Sequence, residues 1–218
     1  MSRIAGFFRS TIGQKAIMAV TGLIMLGYLI THVLANLLVF RGPALINGYS
    51  RVLHSMPSFL WAARVVLIVA VLLHIWAAVS LTRRDVAARA TKYGRYRPQA
   101  STFASRTIRW GGLLILFFII FHILHFTTGT VHPAFVEGDP HGNVVRAFRV
   151  PWVAALYIVA MAALGLHLYH GAWSSFRTLG LTPSTGDPLR HRVSAIVAAL
   201  IWLGFTAIPI AVLAGLVR

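Results

Sequence analysis

Cysteine is absent from all 218 residues, which excludes disulfides, thiolate-held iron-sulfur clusters and a covalently attached c-type haem. Carboxylates are nearly absent as well. Asp85, Glu137, Asp139 and Asp187 are the only four, and none lies inside an apolar run, so paired-carboxylate acid and base chemistry is excluded too. Charge is thin overall: 11% of residues are charged and 58% hydrophobic, with a mean hydropathy of +0.77, where a soluble domain carries about 25% charge. That composition excludes a soluble globular domain and points to the lipid bilayer. The net charge of +16, from 20 Lys and Arg, would suggest nucleic acid in a soluble protein. Here the basic residues cluster between long apolar runs, where they set membrane orientation and meet acidic lipid or protein, so nucleic acid is not an expected partner.

Runs near 20 apolar residues recur five times, at about Ile17 to Phe40, Phe59 to Leu81, Trp110 to Thr128, Val150 to Phe176 and Val193 to Val217. The first follows Arg3, Arg9 and Lys15 as a signal peptide would. Its apolar run is too long for one and lacks a small-residue cleavage site, so it reads as a retained helix. The expected fold is an all-α integral membrane protein of five transmembrane helices, four of them forming a bundle, in one domain spanning 1–218. Fourteen of the 20 basic residues lie before the first run, between the second and third, and between the fourth and fifth; six lie on the other side. The positive-inside rule then places the N-terminus in the cytoplasm. The loop from Thr82 to Arg109, with Arg83, Arg84, Arg89, Lys92, Arg95, Arg97, Arg106 and Arg109, becomes a cytoplasmic surface suited to a docking partner. The longest outer loop, Gly129 to Arg149, reads as solvated, its Glu137, Asp139, His132 and His141 included.

Ten histidines are the anomaly. An ionisable side chain inside a membrane helix is expensive, so each is a functional candidate. His32 lies in the first run, His74 in the second, His122 and His125 in the third, and His167 and His170 in the fourth. Counting from each run's midpoint, His32 and His122 both fall about 5 Å outside centre, on helices that run outward. His74 and His167 fall on the cytoplasmic side. Two pairs result, one above the other, with a separation on the order of 10 Å along the membrane normal. Two imidazoles from facing helices are what six-coordinate haem iron needs, and a haem so ligated carries electrons without binding oxygen. Ala70, Ala77 and Ala78 near His74, and Ala163 and Gly171 near His167, leave room for a flat macrocycle. The fifth run has no His, Met, Tyr, Lys or acidic residue and offers no ligand; Trp202, Gly204 and Pro209 there read as packing.

The segments His32-Val-Leu-Ala-Asn36, Asn47-Gly-Tyr-Ser-Arg-Val-Leu-His-Ser-Met-Pro57, Leu73-His74-Ile-Trp, Phe121-His122-Ile-Leu-His-Phe126 and Gly165-Leu-His-Leu-Tyr-His-Gly-Ala-Trp-Ser-Ser-Phe-Arg-Thr-Leu-Gly180 resemble the cytochrome b membrane subunit of succinate:quinone oxidoreductases. The likeness is to the single-chain, five-helix, dihaem class and covers about Phe7 to Leu216, with His167-x-x-x-Gly171-Ala-Trp173 as its most specific part. It implies two non-covalent haems b, with His32 and His122 on the iron of the outer one and His74 and His167 on the inner. His125 and His170, one turn beyond their neighbours, compete for those roles. It also implies an anchor in the bacterial cytoplasmic membrane for a flavoprotein subunit and an iron-sulfur subunit, passing electrons to or from a quinone, with menaquinone expected. The chain would do no succinate chemistry itself.

Relatives that oxidise menaquinol to reduce fumarate can carry a glutamate two residues before the ligand of the fourth helix; here that residue is Gly165. A second acidic position of that class, near the outer quinone site, corresponds to His54 or its neighbours, which makes His54 the quinone-site candidate. A fumarate reductase anchor, a hydrogenase or formate dehydrogenase cytochrome b, and a transporter using histidines for a metal ion or proton are the rival readings. The second to fourth runs lack the paired mid-membrane Gly or Pro breaks of discontinuous transporter helices.

Overall fold

The computed structural model describes residues 3–88, 102–181 and 188–218, and among these every regular element is helical. Arg89, Lys92, Arg95 and Arg97 of the basic loop lie outside the described residues. The helices are α1 (Arg3–Arg9), α2 (Thr11–Asn36), α3 (Pro43–His54), α4 (Pro57–Ala87), α5 (Phe103–His122), α6 (Pro140–Phe148), α7 (Pro151–Thr178) and α8 (Pro188–Leu213). A 3₁₀ turn, Leu37–Arg41, follows α2, and a wider π turn, Ile123–Thr127, ends α5. Proline opens α3, α4, α6, α7 and α8, at positions where its missing N–H would have no helical partner anyway. Ser10 caps α2 by accepting from Gly13 N–H at 2.9 Å, and Thr102 caps α5 by accepting from Ser105 N–H at 3.1 Å.

The five apolar runs are α2, α4, α5 with its π turn, α7 and α8, each long and apolar enough to cross a membrane. Even the shortest, Phe103–Thr127, reaches roughly 37 Å, beyond the ~30 Å hydrocarbon core. Large apolar side chains such as Leu34, Leu72, Phe117 and Leu200 stand exposed around the bundle. Water would penalise that surface, whereas lipid accepts it.

At the centre stands α7, packed along α8, α2 and α5, while α2 packs along α4 and more lightly along α8. The diagonal pairs α2 with α5 and α4 with α7, and the pair α4 with α5, are not among the closely packed helix pairs of the described residues. Large side chains therefore reach across the interior where those helices face one another. On the opposite flank glycine closes the gap: a Cβ on Gly165 of α7 would come within 3.2 Å of Trp202 Cβ, and one on Gly204 of α8 within 2.6 Å of Val33 Cγ2. Small residues at such crossings let helices approach without a hydrophobic driving force. Gly204→Ala is expected to lower stability by about 1–3 kcal/mol through overpacking. Gly27→Ala, which adds a Cβ with nothing within 4 Å, should be nearly neutral. Thermal unfolding of both variants in detergent checks the contrast.

The two ends differ. At one, α1 folds back on the start of α2, held by buried Gln14: its Nε2 donates to Phe8 O at 3.0 Å and its Oε1 accepts from Ser80 Oγ at 3.1 Å. Arg84 Nη2 donates to Arg9 O at 2.7 Å, and Arg109 pairs with Asp85 at 2.7 Å. At the other end α3, α6 and the loop before α6 form a folded cap, which corrects the reading of Gly129 to Arg149 as a solvated loop. His132 and His141 are buried, and so are most of α6's residues. Thr130, Val131, Pro133, Ala134, Val136, Glu137, Gly138 and Arg149 keep the exposure expected of the whole segment. The physical reason is that α6, though short and polar, carries Val144, Val145, Ala147 and Phe148 against Ile46 and α7.

Asp139 organises the cap. Its carboxylate caps α6 by accepting from Gly142 N–H at 3.0 Å, and takes Asn47 Nδ2 and Arg146 Nη2, each at 3.1 Å. Partial burial alone would raise its pKa, but these donors and the Arg146 charge outweigh it and hold the carboxyl below the usual carboxylate value. A carboxylate so depressed stabilises the fold fully above its unfolded value of about 4, and that contribution is lost as pH falls through the lower folded value. Amide exchange across 129–149 is therefore expected to quicken, relative to intrinsic rates, only below about pH 4. Asp139→Asn should remove that pH dependence.

Candidate functional site

The inner pair is built from α4 and α7, whose backbones stay apart while their rings meet. His74 and His167 have ring centres 6.2 Å apart with planes inclined by 58°. His74 Nδ1 lies 3.1 Å from Met18 O and 3.2 Å from Thr21 Oγ1. The Thr21 hydroxyl gives its own proton to Ile17 O at 2.7 Å, so both oxygens accept, the His74 proton sits on Nδ1, and the Nε2 lone pair is free. His167 Nδ1 is buried and has no hydrogen-bond partner. Glycine faces each ring: a Cβ on Gly22 would stand 3.4 Å from His74 Cε1, and one on Gly112 3.8 Å from His167 Cε1. Gly171, one turn beyond His167, opens on free space. His170 turns away from this pair. Its ring approaches Trp173 at 6.4 Å and lines a cavity of about 290 Å³ together with Thr102, Ser105, Tyr169 and His191.

The outer pair crosses the other diagonal. His32 of α2 and His122 of α5 have ring centres 5.9 Å apart and planes at 85°. His32 stacks on Tyr28 at 5.1 Å, and Phe205 of α8 closes on it at 5.6 Å. His122 packs on Phe118 at 5.7 Å, with its Nδ1 3.4 Å from the Tyr157 hydroxyl. His125 is buried on the α7 side, between Phe121 at 5.1 Å and His132 at 4.7 Å, and its Nδ1 is 3.0 Å from the same hydroxyl. His54, the quinone-site candidate, stands apart from both pairs, exposed at the end of α3, with Nδ1 2.8 Å from Ser50 O.

The two levels are well separated. Thr21, beside the inner pair, and His32 are eleven residues apart on α2, and Tyr157, beside the outer pair, is ten residues from His167 on α7; both spacings give roughly 15 Å. The spacing exceeds the order of 10 Å counted from run midpoints because the helices extend several residues past the apolar runs, which shifts their centres.

Each pair offers two imidazole nitrogens with neither carboxylate nor thiolate beside them. Zinc would want four protein ligands or three and water. An iron whose other four positions belong to a macrocycle needs two. With metal–nitrogen bonds of about 2 Å and roughly 1 Å more from nitrogen to ring centre on each side, one iron sets ring centres about 6 Å apart. The distances in both pairs match that span, and the unpartnered His167 Nδ1, the glycines facing both inner rings and the loosely packed diagonals fit a flat group seated between the helices.

Several site residues carry no clear sequence signature. Tyr157 is a single phenol in an apolar stretch, Thr21 one hydroxyl in another, and Phe205 one aromatic among many. The π turn, marked by Thr128 N–H donating to Ile123 O at 3.0 Å, adds a residue to the helix in a stretch, 123–127, that holds no Pro or Gly. Comparison with protein-family models, with curated proteins and with solved structures finds no match for the chain.

Proposed function

We propose that the chain is the haem-bearing membrane anchor of a succinate dehydrogenase, moving electrons between a cytoplasmic iron-sulfur subunit and a membrane quinone. The carrying observation is the two imidazole pairs, 6.2 and 5.9 Å between ring centres, stacked at two levels of one five-span bundle. The order of the four histidine helices and the His167-x-x-x-Gly171-Ala-Trp173 segment add the resemblance to the dihaem anchors of that class. His74 and His167 would hold the inner haem b, and His32 and His122 the outer one. When bound, each haem supplies a one-electron carrier.

The chain's own residues have defined tasks in this reading. Met18 O and Thr21 Oγ1 accept from His74 Nδ1–H and leave Nε2 free, so that His74 would hold the group through Nε2, as ligating histidines with such partners do. Tyr28, Phe118 and Phe205 wall the outer pair from water. His170 and His191, which line one cavity near Trp173, would offer hydrogen-bonding groups to polar substituents of the inner group. The basic end, with Arg84, Arg106 and Arg109, faces the cytoplasm of a bacterial cell and borders the iron-sulfur subunit. His54, exposed at the capped end, is the candidate for a quinone contact. A spacing of roughly 15 Å between levels divides the ~30 Å membrane core into steps, which is what a path across it requires.

The absorption spectrum of the purified protein tests this directly. Low-spin bis-histidine haem b bands, at two haems per chain by pyridine haemochrome, are expected. A colourless protein assembled in haem-sufficient cells would remove the cytochrome and leave a histidine-using transporter as the better reading. Identification of the subunits that co-purify from native membrane separates a succinate dehydrogenase or fumarate reductase from a hydrogenase or formate dehydrogenase.

A further inference from the structure

The third span holds two histidines one turn apart, and the dihaem reading uses only His122. His125 is nevertheless the less exposed of the two, at 3% exposure, and its ring is stacked against Phe121 at 5.1 Å and 25° and against His132 at 4.7 Å and 24°. A buried imidazole with that much packing is fixed in orientation. His132 is fixed in turn by the cap: its Nε2–H donates to Asn143 O at 3.0 Å, and its Nδ1 accepts from Ala134 N–H at 3.2 Å. Between His122 and His125 lies the hydroxyl of Tyr157, 3.4 Å from one Nδ1 and 3.0 Å from the other. That phenol is locked by the edges of Phe118 at 5.0 Å and Phe148 at 4.9 Å.

A hydroxyl has one proton, so it donates to one of these nitrogens and accepts from the other. The shorter contact, to His125 Nδ1, takes the phenol proton, and His122 Nδ1–H then donates to the phenol oxygen. That order leaves the His122 Nε2 lone pair free toward His32. The π turn matters here because it alters the helix between the two histidines and their exit from the membrane, allowing the chain after His125 to bring His132 back onto it.

We propose that Tyr157 and His125 are positioning residues for His122: a hydrogen-bonded brace, anchored in the outer cap through His132, that fixes the tautomer and ring direction of the outer pair. This rests on the dihaem reading. It goes beyond it in giving the second histidine of the third span, and the cap, a role in the electronic character of the outer site and of that site alone. Donation from Nδ1–H makes an imidazole a stronger ligand and favours the oxidised metal, so removing the acceptor favours the reduced one.

The test is a redox titration, with low-temperature EPR, of the intact complex carrying Tyr157→Phe, His125→Leu or His125→Gln. Tyr157→Phe keeps the packed ring and deletes the hydroxyl. At fixed ambient potential the reduced-to-oxidised ratio of the outer haem is expected to rise about tenfold, which is 59 mV for a one-electron couple, while the inner haem stays unchanged. His125→Leu should shift the same haem in the same direction, and His125→Gln, which retains an acceptor, should restore most of the original value. The double variant Tyr157→Phe with His125→Leu should shift no further than the larger single change, as members of one brace do. Two haems present with an unmoved outer potential in Tyr157→Phe, or equal shifts of both haems, would overturn the proposal. If Tyr157→Phe does not assemble, the contrast between His125→Leu and His125→Gln decides it alone. Failure of the underlying reading looks different, because the unaltered protein would then contain no haem to titrate.

Discussion

His122→Ala is expected, on the dihaem proposal, to yield a folded protein with one haem in place of the proposed two, the outer low-spin signal missing and the inner one intact. The ring of His122 is the sole histidine ring of α5 set against His32, at 5.9 Å, and its loss would leave the proposed outer iron with one protein ligand. His125 is not placed to substitute, since Phe121 and His132 clamp it on the α7 side. His32→Ala should give the same spectrum, whereas His74→Ala and His167→Ala should remove the inner haem, because those rings face one another 6.2 Å apart and roughly 15 Å away along the bundle. Haem content by pyridine haemochrome, with reduced-minus-oxidised spectra, reads all four variants. Two haems in His122→Ala with one in His125→Ala would exchange the roles of these residues. Loss of both haems in every single variant would mean that the sites are not independent.

The second large effect belongs to the cap. Asn143→Leu should cost about 2–4 kcal/mol and loosen the segment 129–149 as a unit. Asn143 is 3% exposed, and its side chain satisfies both directions of the loop: Oδ1 accepts from Val136 N–H at 2.9 Å and from Arg146 Nη2 at 2.6 Å, while Nδ2 donates to Val136 O at 2.8 Å. Leucine fills similar volume but removes both bonds to the Val136 backbone and leaves Arg146 only its contacts with Asp139 and Ala134 O, and stranding part-buried polar groups is the costly half of losing a hydrogen bond. Hydrogen exchange should show faster opening of the cap with the spans unchanged, and thermal unfolding in detergent should show the lower midpoint. A variant as stable as the original would mean that water replaces the side chain freely and that the cap is not a cooperative unit.

Much of the architecture was legible because membrane chemistry is a severe filter. Runs of about 20 apolar residues leave few options in a medium where every backbone group must be paired within its own segment, and α2, α4, α5, α7 and α8 overlie the five runs. The helix ends were less legible, since α4 continues to Ala87 through Arg83 and Arg84, charges that a hydropathy count treats as a boundary and that long side chains carry to the interface. The cap is hidden in the sequence for the opposite reason. His132 and His141 sit among Pro, Gly and acidic residues and look like solvated loop, and only the return of α6 onto α3 and α7 buries them.

The same division runs through the site. Composition and spacing alone determined a multi-span helical protein with histidines at two depths on four successive runs, because helical rise converts sequence position into depth with one constant. Spacing could not choose between His122 and His125, or between His167 and His170. Residues three apart share a helix face, so the choice depends on what stands opposite. Tertiary structure supplies that: across the loosely packed diagonals His32 faces His122 and His74 faces His167, while His125 lies against Tyr157 and the cap and His170 against the cavity at the basic end. Pairing across a bundle is a property of helix rotation and crossing, fixed by close approaches such as Gly204 on Val33 and Gly165 on Trp202, and those contacts join residues that no local pattern connects.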